Sequence, residues 1–98
     1  MWRQGDIYFS PVSSIPTGAT RLPHCVLAEG EATGHSHRID VPDTAELLET
    51  PEGHYLRVLA DHATVVHPEH GPILLPTGTY RVWRQREYTP QGIRRVVD

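Results

Sequence analysis

Ala45-Glu46-Leu47-Leu48-Glu49-Thr50-Pro51-Glu52-Gly53-His54-Tyr55-Leu56-Arg57-Val58-Leu59-Ala60 decides the fold class. Residues 54–60 put His54, Leu56, Val58 and Ala60 on one face and Tyr55, Arg57 and Leu59 on the other, the two-residue period of a strand. Pro51-Glu52-Gly53 is turn chemistry, so residues 45–49 read as the partner strand of a hairpin. Asp43 and Glu46 would also serve as a loose capping box for a single helical turn. The turn that follows favours the strand.

The same pattern runs outward in both directions. Gly5-Asp6 leads into an apolar strand over residues 7–12. Residues 13–23 carry two Pro and a Gly and read as loop. Residues 25–29 form a short strand, 29–34 an acidic, Gly-rich turn, and 35–41 an extended segment ended by Pro42-Asp43. After residue 60, Asp61-His62 reads as a tight turn, 63–67 as a β-branched strand, 67–72 as a loop and 73–75 as a short strand. Pro76-Thr77-Gly78 is a turn into the longest strand, residues 79–88, where Tyr80, Val82 and Trp83 supply core. Thr89-Pro90-Gln91-Gly92 turns into a last strand over 93–97. About eight short strands spaced by roughly 8–12 residues predict an all-β fold, a compact small barrel or rolled sheet. The 98 residues make a single domain over residues 1–98.

Composition agrees: 38% apolar residues, nine Pro and eight Gly suit short strands better than long helices. The net charge is −3, and every one of the nine basic residues is Arg. Their distribution is uneven: residues 1–80 carry four Arg against ten acids, and residues 81–98 carry five Arg against Glu87 and Asp98. The single cysteine, Cys25, allows no intrachain disulfide and, beside Val26 and Leu27, reads as a small buried residue. The opening residues lack the apolar core of a signal peptide, and no apolar run approaches the roughly 20 residues of a membrane span. The expectation is a cytoplasmic protein that does not engage a membrane, or one carried by a phage or mobile element.

Chemistry concentrates in the histidines. Four of the seven fall into two tight pairs, Gly34-His35-Ser36-His37 and His67-Pro68-Glu69-His70. His-x-His on a strand places both rings on one face. A His-x-x-His at a turn brings its members together because the turn folds the second one back. Neutral imidazole ligates Zn²⁺, Fe²⁺, Mn²⁺, Ni²⁺ and Cu²⁺, with Zn²⁺ first by availability. The expected metal ligands are therefore His35, His37, His70 and His67. Three would leave a position open for catalysis; four would close a structural site. Glu69 is the candidate carboxylate ligand or general base, Glu31 a weaker one. Arg38 and Arg81 are the candidates to steady an anionic substrate. His24, His54 and His62 read as ordinary surface or loop residues.

His35-Ser36-His37 on a strand, followed by Pro76-Thr77-Gly78 before a long strand, resembles the cupins, small metal-binding β-barrels. That resemblance implies a cupin-like barrel around a metal. The chain departs from the cupin motifs, with Asp40 the nearest acid to the first and Arg81 where the second has its His. The chain also resembles a group of small uncharacterised bacterial and phage proteins. They share a Gly-Asp opening strand, the Glu29-Gly30-Glu31-Ala32-Thr33-Gly34-His35-Ser36-His37-Arg38 segment, a His-x-x-His before Pro-Ile, and the Gly78-Thr79-Tyr80-Arg81-Val82-Trp83-Arg84-Gln85-Arg86-Glu87-Tyr88 ending. This likeness implies no function.

Arg81, Arg84, Arg86, Arg94 and Arg95, interleaved with Tyr80, Trp83 and Tyr88, form a second constellation. Arg with aromatics on a sheet suits an acidic partner or single-stranded RNA, but period two divides these Arg between faces. No nucleophile elbow, phosphate loop, dinucleotide fingerprint or zinc-protease helix is present. The sequence thus reads as a divalent-metal-binding β protein, with a metal-dependent hydrolase acting on a small or anionic substrate as its enzymatic form. The alternative is a structural-metal or metal-free binding module that uses the Arg strip. An open edge strand and low apolar content also suit a homodimer.

Overall fold

The structure, a computed structural model, describes residues 1–29, 35–89 and 92–95, with side chains as far as Gln85. Glu31 and the acidic turn over residues 30–34, and the side chains of Arg86, Tyr88, Arg94 and Arg95, lie outside that description. In chain order the strands are β1 (Trp2–Gln4), β2 (Ile7–Pro11), β3 (Thr20–Arg21), β4 (Val26–Glu29), β5 (Ser36–Ile39), β6 (Ala45–Thr50), β7 (Gly53–Val66), β8 (Ile73–Arg84), β9 (Arg86–Thr89) and β10 (Gly92–Arg95). A 3-10 turn, Pro42–Thr44, precedes β6. The fold is all-β and antiparallel.

The hairpin of residues 45–60 forms, with β6 paired to β7 from Ala45↔Val58 to Thr50↔Gly53. The Thr50 hydroxyl donates to the Gly53 carbonyl at 3.1 Å and accepts from the Glu52 amide at 3.2 Å, and Gly53 takes φ +137°, a backbone conformation that L side chains rarely adopt. Beyond it the expected turns at Asp61-His62 and Pro76-Thr77-Gly78 do not interrupt the strands. β7 and β8 run through them as one long ladder whose register shifts between Val58 and His62 and resumes with His62↔Pro76. The shift is a bulge-like bend, and the Thr77 hydroxyl donates across it to the Ala60 carbonyl.

The bend lets one hairpin serve two layers. On one side of it, β2 pairs with the end of β8 and β6 with the start of β7, giving the order β1-β2-β8-β7-β6-β3. On the other side β5 pairs with the end of β7, giving β8-β7-β5-β4. Inward residues of both layers meet in one cluster: Ile7, Phe9, Leu47, Leu56, Val58, Tyr80 and Val82 from the first, Leu27, Ile39, Ala63, Val65 and Leu75 from the second. The sheet is rolled over this core but does not close, so of the two expected forms, a small barrel or a rolled sheet of about eight strands, the chain takes the second. Trp83 is not core: it is half-buried on the outer face, stacked on Tyr8 with ring centroids 5.5 Å apart.

Leu56 has no exposed surface, whereas Leu59, three residues on, is 54% exposed. Leu56→Ala should lower unfolding free energy by about 3 kcal/mol and Leu59→Ala by no more than about 0.5 kcal/mol, read by urea denaturation.

Candidate functional site

The turn between β1 and β2 is where the two layers meet in polar rather than apolar contact. Gln4 pairs with Ile7, and Gly5 at φ +59° closes the tight link that positions Asp6. Gln4 and Asp6 are both buried. The Gln4 amide nitrogen donates to the Val65 and Gly71 carbonyls, each at 2.9 Å. With both amide hydrogens engaged, Oε1 must be the acceptor in the 2.8 Å contact with His37 Nδ1. His37 therefore donates from Nδ1. Its Nε2 faces Asp6 Oδ1 at 3.6 Å, and the other Asp6 oxygen is held by Arg84 Nε at 3.0 Å.

The four histidines of the two pairs lie together around this turn. His37 projects inward from β5 with no exposed surface, next to Ile39, while Arg38 between them is exposed. The His67 ring lies 4.3 Å from that of His37, 4.5 Å from that of His70 and 5.5 Å, edge-on, from that of His35. His37 and His70 are nearly parallel at 5.8 Å. His35, just before β5, sets Nδ1 3.3 Å from Glu69 Oε1. His67 Nδ1 accepts from the backbone amides of Glu69 at 3.0 Å and His70 at 3.3 Å, so the Pro68-containing turn winds around that ring. A neutral His67 in this arrangement keeps its proton on Nε2. Among the described residues, no three or more His, Cys, Asp or Glu side chains are already disposed as a metal site.

The other expected site residues are placed elsewhere. Arg38 and Arg81 are exposed, and the alternation of their strands turns them away from the inward face that His37 occupies. Arg81 lies over the Trp83 ring at 5.9 Å, and Arg3 over Tyr8 at 5.5 Å. The outer face thus carries an Arg3–Tyr8–Trp83–Arg81 ladder whose ring faces are covered by its own members. Arg84, which reading the chain placed only in the basic strip, is the arginine at the histidines. Gln4 and Asp6 had appeared only as the start of a strand, because nothing local marks a single Asp as buried.

The chain belongs to the DUF8820 family. Its family model, described as a domain of unknown function, matches residues 3–85. That span holds Gln4, Asp6, all four clustered histidines and Arg84. Neither curated proteins nor solved structures gave a match, so the cupin likeness of this DUF8820 chain rests on its short motifs alone. No helix among its described residues is long and apolar enough to cross a membrane.

Cys25 lies outside the cluster, half-buried, its thiol near the Ala45 carbonyl at 3.6 Å. Burial pushes the thiol up from its ordinary range, outweighing the lowering effects of a backbone contact from Leu47 and the charge of Arg21. A raised folded value means that the stability linked to this thiol is present below the unfolded pKa and fades as pH climbs through the folded one. Iodoacetamide should accordingly alkylate Cys25 with a rate midpoint above that of the urea-unfolded chain.

At the turn, Gln4→Ala removes one acceptor and two donors from buried partners. A loss of about 2–4 kcal/mol is expected in urea denaturation, against under about 1 kcal/mol for Arg38→Ala on the exposed face.

Proposed function

We propose that this DUF8820 chain binds one divalent metal, Zn²⁺ first, at the Asp6–histidine cluster, and that the metal-bound form is a small hydrolase. The observation that carries the reading is the buried row Gln4–His37–Asp6, with Gln4 Oε1 2.8 Å from His37 Nδ1 and Asp6 Oδ1 3.6 Å from His37 Nε2. Gln4 holds a proton on Nδ1, so in the neutral ring the Nε2 lone pair faces a carboxylate oxygen in a buried setting. A lone pair facing an anion is a poor arrangement by itself and a good one around a cation. The contact to Gln4 is also the orienting outer bond that ligating histidines ordinarily make.

The donor types suit such an ion. Nε2 of His37 and an oxygen of Asp6 lie side by side, the His70 ring is nearly parallel to that of His37, and further donors have to move in to complete the set. Glu69 beside His35 Nδ1 repeats the carboxylate–imidazole pattern that leaves the other ring nitrogen to a metal. His67, with Nδ1 occupied by two amides, shapes the cluster rather than ligating through that nitrogen. A divalent ion bound there supplies a Lewis acid that polarises a carbonyl or phosphoryl oxygen. Glu69, 58% exposed at the rim, can hold and return a proton. Arg84, not Arg38 or Arg81, is the cation beside the reacting end.

Elemental analysis of tag-free protein after dialysis against Zn²⁺ should give near one metal per chain, lost in His37→Ala. Gln4→Leu should weaken binding about 10- to 100-fold while leaving the ligands in place. Free Zn²⁺ at a hundredfold excess over Kd should stabilise the wild type by about 2.7 kcal/mol. A chain that takes up neither Zn²⁺, Fe²⁺, Mn²⁺, Ni²⁺ nor Cu²⁺ would overturn the reading.

A further inference from the structure

The two layers part at one end of the core, leaving a cleft of about 300 Å³. Ile7 and Val82 of the first layer and Leu27 and Ala28 of the second line it with His54 and Arg84, and Trp83, whose ring stacks on Tyr8 on the outer face, borders its mouth. Tyr80, Val82 and Arg84 alternate with Arg81 and Trp83 along β8, so the strand that puts Tyr80 and Val82 into the core also turns the Arg84 side chain inward. Its side chain is only 12% exposed, and the guanidinium is fixed at both ends, by Asp6 at Nε and by the Glu29 carbonyl at Nη2, 2.8 Å away. No carboxylate is among the described residues lining the cleft, and its two ionisable side chains, Arg84 and His54, are both basic.

We propose that this cleft takes a small anion with an apolar body, a carboxylate of aliphatic or aromatic character, whose charged end meets Arg84. An apolar trough with one oriented polar group is the general form of a small-ligand site, and a planar guanidinium held rigid loses little freedom on pairing with a carboxylate. Arg84 is also the link to the histidines: its guanidinium touches Asp6, and Asp6 touches His37. On the β4–β5 ladder, Ala28 in the cleft sits opposite His37. A ligand seated here would place its charged end next to the cluster. The inference rests on the metal reading only in making that ligand the substrate; binding in the cleft does not need the metal.

Trp83 supplies the signal. In a Trp2→Phe background it is the sole tryptophan, and hexanoate is the probe, with hexanamide as its uncharged match. Hexanoate should shift Trp83 emission saturably with Kd near or below about 1 mM, the affinity of roughly 4 kcal/mol open to a ligand of this size. Hexanamide should bind at least tenfold more weakly. Arg84→Gln should abolish the preference for the anion, and Ala28→Phe, which fills the trough while keeping the arginine, should abolish binding of both probes, with unchanged circular dichroism. Equal binding of hexanoate and hexanamide, no saturable shift, or wild-type affinity in Ala28→Phe would overturn the proposal. Titrations in EDTA and in Zn²⁺ keep the two readings apart, since failure to bind Zn²⁺ leaves the Trp83 signal intact and failure of the cleft leaves metal uptake intact.

Discussion

One continuous ladder, β7 against β8, carries both layers of this protein, and its bend at residues 58–62 is the constraint on everything else. A flat hairpin of that length would present one broad face and leave its core side open to water. With the bend, β5 and β6 pair along the same edge of β7 but at different ends, and the inward faces of the two halves roll over shared apolar residues. A 98-residue chain has little apolar surface to bury, so using each strand of the hairpin twice is how it assembles a single core.

The hairpin was legible because it is local. Alternation in residues 54–60 and the Pro51-Glu52-Gly53 turn need no distant partner to be interpreted. Asp61-His62 and Pro76-Thr77-Gly78 misled for the complementary reason. Turn-forming residues announce a change of direction, but whether the chain reverses or only bends depends on whether the opposite strand resumes pairing, which no local window contains. His62↔Pro76 shows that it does, and a proline lacking its N–H is tolerated beside the register shift where the ladder is already interrupted. β1 was missed because three residues are too few to show a period.

The histidine pairs were legible as pairs, but their surroundings were not. His35 lies just outside β5, so it reaches the His67 ring from a loop rather than from the strand face that His-x-His suggested. Arg38 stood beside the histidines as a candidate, yet period two puts it on the face opposite His37, and alternation alone does not say which face is buried. Gln4, Asp6 and Arg84 come from the two ends of the chain and meet only because β2 pairs with the end of β8, Ile7 opposite Arg84. Their chemistry is long-range by construction, and an isolated Gln or Asp near a terminus carries no signal of it.

Among the described residues five polar side chains are buried, Gln4, Asp6, His37, Thr50 and His67, and four of them meet at this one turn. Polar groups so placed do not by themselves make a small protein more stable; well-packed apolar replacements of similar volume are often neutral or better. Arg84 and Asp6 offset each other's charge, which makes the carboxylate tolerable, but that pairing alone would be complete without any histidine. Gln4 goes further: it engages two carbonyls of the second layer and fixes the proton of His37, tying the layers together through the same atoms that orient the ring. A seam whose structural bonds also set a tautomer is built to hold that imidazole in one state. The other ring nitrogen faces the carboxylate that Arg84 anchors, with the His67 and His70 rings alongside, so the bonds that tie the layers also aim this imidazole at an acid.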